Sequence, residues 1–251
     1  AKASIDEARS PCSGRVQTGC LNSLVYDGIG FFRHVDELRK RYRKERRHLG
    51  SRFAAYELAD QTLQKDGTAK PGGKTAHLLE LADCSVTALE TDAQRAPRIN
   101  ENLNRLALQA DVRVCDAGDI DAWWDGRPFD AVLLDAPCTA SGIVRRHPEI
   151  VFSRRPQDIV ALAQQQKRLL NALWRVVKPG GRLLYAVCSV FSEEGTKQIE
   201  AFLKEHKDAE AITLPKCHDS QLRLMPCDNP DKLGLIDGPH DGFFYALLQK
   251  N

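Results

Sequence analysis

The sequence predicts an α/β fold built on a mostly parallel sheet with helices on both faces. Three observations predict it. Strand-like and helix-like segments alternate from Pro71 onward, one of the strands is an unbroken apolar run, and the residues best suited to chemistry fall where strands end.

The elements follow in order. Residues 1–65 form an atypical amino-terminal segment. Its first part, SIDEARSPCSGRVQTGCLNS, has no clear period and reads as loop. From Phe32 to Gln64 the pattern is highly charged and helix-compatible, with Leu38, Tyr42, Leu49, Phe53 and Leu58 as scattered apolar contacts. Residues 66–251 hold the alternating pattern. PGGKTAHLLELA reads as a glycine turn opening a helix. SVTALETD reads as a short buried strand ending in acids, and AQRAPRINENLNRLAL as an amphipathic helix. VRVCDA is a further strand. FDAVLLDAP is continuously apolar, as expected when both sheet faces are covered. PQDIVALAQQQKRLLNALWRVV reads as a long helix ended by the Pro-Gly break of KPGG. GRLLYAVCSV is another buried strand. SEEGTKQIEAFLKEH reads as a helix with Ser192 as N-cap and acids in its first turn, and DGFFYALLQK as the last strand.

Composition bounds the function without naming it. The chain has 251 residues, enough for one large domain or one domain with an appendage. Hydrophobic residues make up 42%, charged residues 28% and aromatics 7%, so a mainly aliphatic core is expected. A formal net charge of +2 does not announce a nucleic-acid binder. The charge is uneven, however, with a basic run, RKRYRKERRH, at 39–48 and a second cluster at Arg145, Arg146, Arg154 and Arg155. The eight cysteines contain no C-x-x-C pair and no His/Cys cluster at zinc-ligand spacing, so no metal site is expected. Neither a signal peptide nor a membrane-length apolar run is visible, which points to a cytoplasmic protein with free thiols; a monomer is expected, though the sequence leaves the oligomeric state open.

Four groups of residues are candidates for chemistry. Pro71-Gly72-Gly73-Lys74 lets a backbone approach a ligand and puts a helix N-terminus against an anion. A nucleotide P-loop would need a glycine at position 68, where Thr68 stands, with Gly67 one residue away. Glu90, at a strand end with Asp92 just after it, could accept hydrogen bonds from both hydroxyls of a ribose. Asp116, at the end of the next strand, could meet an adenine amino group. Asp135-Ala136-Pro137-Cys138 follows the apolar strand, and Cys188 lies at the end of another. A strand cysteine is more often packing than chemistry. Two thiols and an acid at neighbouring strand ends suit one reaction in particular. A thiolate that adds to carbon 6 of cytosine makes carbon 5 nucleophilic enough to take a methyl group. An acid at N3 relieves the charge of that addition.

PGGKT at 71–75, LLDAPCTASGIVRRHPEI at 133–150, YAVCSV at 185–190 followed by Glu193 and Glu194, and DGFFYALL at 241–248 resemble the Sun/Fmu-type RNA cytosine-5 methyltransferases, in their bacterial small-subunit ribosomal RNA branch. Order and spacing agree across residues 66–250. The resemblance implies a Rossmann-like, S-adenosylmethionine-dependent methyltransferase fold, with a mostly parallel sheet and an antiparallel C-terminal strand. It implies an RNA substrate, 16S ribosomal RNA, and no membrane partner. It makes Cys188 the nucleophile, Cys138 an aid to product release and Asp135 a contact to the cytosine. Pro71, Gly72, Gly73, Lys74 and Asp135 would lie at the cofactor, Glu90 at its ribose, Asp116 near its adenine, and Arg95 beside them.

Three departures stand out. Val187 occupies the place of the family's threonine before the nucleophile. The family's apolar strand before the glycine turn is replaced by TLQKDGTAK, whose polar run QKDGTAK is unsuited to a central strand. Residues 1–65 show no match to the family's amino-terminal region. If nothing replaces the missing strand, weak cofactor binding is expected. Two other readings stay open: an RNA-binding remnant that has lost turnover, and a P-loop nucleotide hydrolase.

Overall fold

The structure is a computed structural model that describes residues 51–57, 72–81, 84–214, 219–226 and 240–251, the first of these by its backbone. These residues form an eight-stranded sheet in the order β3-β2-β1-β4-β5-β8-β6, with β7 also paired to β8. The strands are β1 (Ser51–Glu57), β2 (Cys84–Glu90), β3 (Asp111–Val114), β4 (Phe129–Asp135), β5 (Val177–Val187), β6 (Ala209–Ala211), β7 (Gln221–Leu224) and β8 (Phe243–Lys250). The neighbours among β1 to β5 pair in parallel, whereas β8 runs antiparallel to β5, β6 and β7. The helices are α1 (Gly73–Leu81), α2 (Ala96–Arg105), α3 (Ile120–Trp123), α4 (Ile150–Ser153), α5 (Pro156–Val176) and α6 (Thr196–Glu205). The α/β class, the parallel sheet and the antiparallel last strand are as the sequence led one to expect.

Strand β4 shows why the sheet is covered on both sides. Ala131 and Leu133 point into one core with Leu78, Leu184 and Tyr245. Val132 and Leu134 point into the other with Leu170, Leu173, Trp174 and Tyr185. Alternate side chains of a strand face opposite ways, so a strand sandwiched between two layers must be apolar throughout. Helix α5 supplies the second layer through Leu169, Leu170, Leu173 and Trp174, which recur at helical spacing.

Three local expectations are corrected. The helix-compatible reading of 32–64 fails at 51–57, which forms β1, the strand between β2 and β4. S-R-F-A-A-Y-E is a short apolar run next to a strongly charged one, and periodicity alone does not separate helix from strand over such a length. The rest of 1–65 and the polar run at 64–70 lie outside the described residues, as does Pro71. The place of the supposedly missing central strand is therefore filled, ahead of the boundary drawn at 65/66. Second, the KPGG break follows α5 but does not separate it from β5. Pairing of Phe129 with Val177 is followed by Ala131 with Arg182, so the turn is absorbed as an irregularity in β5, with Gly180 at φ +73°. Third, Ser192 is not an N-cap. Helix α6 begins at Thr196 with Gly195 as N-cap, and Glu193 and Glu194 precede it in a turn. The Ser192 carbonyl accepts from the Gly195 and Lys197 amides, and the Glu194 side chain turns into the interior.

Among the described residues no helix is long and apolar enough to cross a membrane, and no group of three His, Cys, Asp or Glu side chains could hold a metal ion.

Candidate active site

The strand order reverses between β1 and β4, one neighbour leading to β2 and β3 and the other to β5. Open α/β sheets bind ligands at such a reversal, outside the carboxyl ends of the strands. The register brings those ends level: Glu57 pairs with Asp135, and Asp135 with Ala186. Cys138 and Cys188 leave the sheet just beyond, on the loops after β4 and β5.

The two sulfurs are 3.4 Å apart. Both thiols are free, Cys138 buried and Cys188 partly exposed. Contact with the Cys188 sulfur, and then burial, push the Cys138 thiol well above its ordinary range. Either sulfur could donate in this contact. Of the pair, Cys188 is the more exposed. Cys84 and Cys115 pack at the margins of the two cores, as free cysteines commonly do. Cys12, Cys20, Cys217 and Cys227 lie outside the described residues.

Asp135, the last residue of β4, meets Lys74 of α1 with Nζ 2.5 Å from Oδ2, both side chains about one-fifth exposed at 22%. The lysine of the glycine turn and the acid of the cysteine loop thus form one charged pair facing the strand ends. Gly72 has φ +78°, and a Cβ there would lie 2.8 Å from Ile99 Cγ2. Glycine is required twice, by conformation and by the close approach of α2. A Cβ on Gly73 would meet nothing within 4 Å, so the start of α1 opens onto free space.

Glu90 is buried at the end of β2. Its Oε1 accepts from the Asp92 amide at 3.0 Å, and its Oε2 lies 3.3 Å from Arg95 Nη1, with no hydrogen-bonded partner among the described residues. The Cys115 amide donates to the Glu90 carbonyl, which sets the Asp116 turn beside this acid. Asp116 itself accepts from the Gly118 amide and from Arg168 of α5, each at 2.7 Å. A glycine turn, an underused buried carboxylate oxygen and a second acid on the adjacent loop fit an adenosine-bearing cofactor such as S-adenosylmethionine. Glu90, Arg95 and Asp116 would hold the nucleoside, and Gly72, Gly73 and Lys74 the other end.

Several residues that organise this site were not singled out as functional from the sequence. Glu194, fully buried, accepts from Thr139 N at 2.9 Å, Thr139 Oγ1 at 2.6 Å, Ser189 Oγ at 2.5 Å and Gln166 Nε2 at 3.1 Å. Gln166 also donates to the Pro137 carbonyl at 2.8 Å. Its place was legible in principle, since it sits three and four residues before Leu169 and Leu170 on the buried face of α5. The arginine cluster proves to be largely structural. Arg154 donates to the carbonyl of Thr139, with Nη2 at 3.4 Å from that of Cys138. Arg146 and Arg145 flank the buried carboxylate of Asp241, at 2.5 and 3.5 Å. Next to it Gly242 donates to the Gly142 carbonyl at 2.7 Å, so the DGFF segment clamps the loop that bears the arginines.

A parallel sheet with this switch point and an antiparallel last strand beside β5, carrying a glycine turn and strand-end acids, defines a Rossmann-like methyltransferase. Solved structures share it. A methyltransferase homologue from Pyrococcus horikoshii superposes with a TM-score of 0.58 at 27% identity, over 80% of this chain and 62% of that one. NSun6 from Pyrococcus horikoshii, solved with the S-adenosylmethionine analogue SFG, superposes with a TM-score of 0.61 at 23% identity, over 80% of this chain and 48% of that one. Residues 55–249 match the 16S rRNA methyltransferase RsmB/F family, and the chain belongs to that family. It is 44% identical over 208 residues to ribosomal RNA small subunit methyltransferase B of Shewanella oneidensis, covering 80% of this chain and 46% of that protein. The corresponding protein of Xylella fastidiosa (strain Temecula1) is 46% identical, over 74% of this chain and 42% of its own length. The chain thus spans less than half the length of these two relatives. Family membership removes the P-loop hydrolase reading.

Proposed function

We propose that this chain transfers a methyl group from S-adenosylmethionine to carbon 5 of a cytosine in RNA, in the small-subunit ribosomal RNA, through a covalent adduct at Cys188. The observation that carries the reading is the meeting of two free thiols at 3.4 Å beside the Lys74–Asp135 pair, on adjacent strand ends. Packing alone gives no reason for an acid, a lysine and two sulfurs to converge at the sheet's switch point.

The residues divide the work. Cys188, the more exposed sulfur, adds to carbon 6 of the base. The Lys74–Asp135 pair would hydrogen-bond the N3 and exocyclic groups of that base and take up charge as it develops. S-adenosylmethionine supplies the electrophilic methyl group when bound, and Gly72, Gly73, Glu90, Arg95 and Asp116 place it. Release then requires three events together. The carbon-5 proton passes to water, its bonding pair rebuilds the carbon 5–carbon 6 double bond, and the carbon 6–sulfur pair returns to Cys188. A protonated Cys138 in contact with that sulfur eases its departure by hydrogen bonding. Chemistry on a base requires access to it, so an unpaired or splayed-out cytosine is the expected target.

The test is incubation with radiolabelled methyl donor and small-subunit ribosomal RNA. Cys188→Ala should abolish transfer. Cys138→Ala should leave a protein–RNA adduct that survives denaturing electrophoresis. RNA binding with no methyl transfer by the unaltered chain would favour the remnant reading instead.

A further inference from the structure

We infer that Glu194 is a positioning residue that holds the Cys138 and Cys188 loops against each other, so that release of the methylated base depends on it. The functional part of this statement rests on the covalent reading above; the positional part does not.

The geometry is one-sided toward the two cysteines. Glu194 takes the amide and the hydroxyl of Thr139, the residue after Cys138. It takes the hydroxyl of Ser189, the residue after Cys188. Through Gln166, which donates both to Glu194 and to the Pro137 carbonyl, it also reaches the residue before Cys138. Cys138 is therefore held on both sides and Cys188 on one, by a single carboxylate. Nothing else about Glu194 requires this arrangement. Its backbone carbonyl separately accepts from Tyr185 Oη at 2.6 Å, which anchors the turn before α6 without the side chain.

A fully buried carboxylate is costly unless its oxygens are satisfied. Here four donors satisfy it, and three of them belong to the two residues that directly follow the cysteines. These loops come from different strands, joined by backbone bonds from the Ala136 and Gly142 amides to the Ala186 and Cys188 carbonyls, on either side of Cys138. Glu194 adds to those bonds a side-chain brace at the residues next to the sulfurs, and small misplacements of reacting groups have large effects on rate. Attack by Cys188 needs only Cys188 and the base. Departure uses the contact between the sulfurs, so departure should suffer more when the brace is loosened.

The test uses the full chain and the variants Glu194→Gln and Glu194→Ala. Glutamine can keep an oxygen toward the Thr139 amide and Gln166, and can turn its own amide toward hydroxyls able to accept, so it should fold. The first measurement is independent of methylation. Diamide oxidises two neighbouring thiols to a disulfide and is itself reduced to the hydrazine. In the wild type it should convert Cys138 and Cys188 to a disulfide, mapped by peptide mass spectrometry. Glu194→Ala should slow that conversion by about tenfold, with Glu194→Gln in between. The second measurement is the fraction of protein held as RNA adduct during turnover. Glu194→Ala should accumulate adduct as Cys138→Ala does, with the KM for S-adenosylmethionine little changed. An unchanged rate of disulfide formation in both variants would overturn the positional claim whatever the activity. Slowed disulfide formation, with adduct forming in the Cys138→Ala variant but never in the Glu194 variants, would overturn the dependence of release on Glu194. Slowed disulfide formation with no adduct in any variant, Cys138→Ala included, would leave the brace standing and overturn the covalent reading instead.

Discussion

At the scale of the residue, the informative asymmetry is between two chemically identical side chains. The Cys138 thiol is pushed up by the neighbouring sulfur and by burial, so its thiolate is scarce at neutral pH. Alkylation follows the thiolate, and a raised pKa moves the onset of reaction to higher pH. Iodoacetamide at pH 7.5 should therefore label Cys188 and spare Cys138, with Cys138 labelling only as the solution becomes strongly alkaline. Peptide mass spectrometry across a pH series checks this; early labelling at Cys138 would contradict the structure. Gly72 is the second telling residue. An alanine there must adopt φ +78° and displace Ile99, which should cost about 1–3 kcal/mol and weaken S-adenosylmethionine binding measured by calorimetry. Gly73→Ala meets nothing within 4 Å among the described residues, so a loss of affinity it causes would report on the ligand.

At the scale of the element, β4 and α5 were legible because their apolar patterns match their surroundings. FDAVLLD is apolar on both faces and is covered on both faces. Leu170 shows what this packing is worth: it is 1% exposed, and Leu170→Ala should lower stability by about 2–5 kcal/mol in chemical denaturation. The turn before α6 was misread for a specific reason. Ser192-Glu193-Glu194 looks like a helix start because serine followed by acids usually caps one. Nothing local reveals that Glu194 is wanted inside by Thr139 and Ser189, which are 55 and 5 residues away in the chain. Likewise the arginines at 145, 146 and 154 read from the sequence only as a basic cluster. Their partners, Asp241 and the carbonyls of Cys138 and Thr139, become visible only when the loops meet.

At the scale of the whole molecule, the question is where the catalytic unit begins. We propose that it includes β1, and so starts before residue 66. Strand β1 pairs with β2 through Tyr56–Leu89 and with β4 through Glu57–Asp135. Removing it exposes the edges of two central strands, which favours association with other chains. A chain cut to 66–251 should be poorly soluble and lose a cooperative melt, whereas one cut to 51–251 should keep both. Equal behaviour of the two would return the boundary to 65/66. The filled strand position also argues for measurable S-adenosylmethionine affinity in the uncut chain, by calorimetry, in place of the weak binding expected from the polar run before the glycine turn.

By itself, the amino-acid sequence determined the alternation of strands and helices, the glycine turn at 72–73, and that Asp135, Cys138 and Cys188 lie at strand ends. These follow from local rules: periodicity, the conformational freedom of glycine, and motif spacing. Only the tertiary structure decided that residues 51–57 complete the sheet, that the two sulfurs touch, and that Glu194 joins their loops. Each of those depends on pairing between segments far apart in the chain, where the partner and not the segment's own pattern selects the conformation.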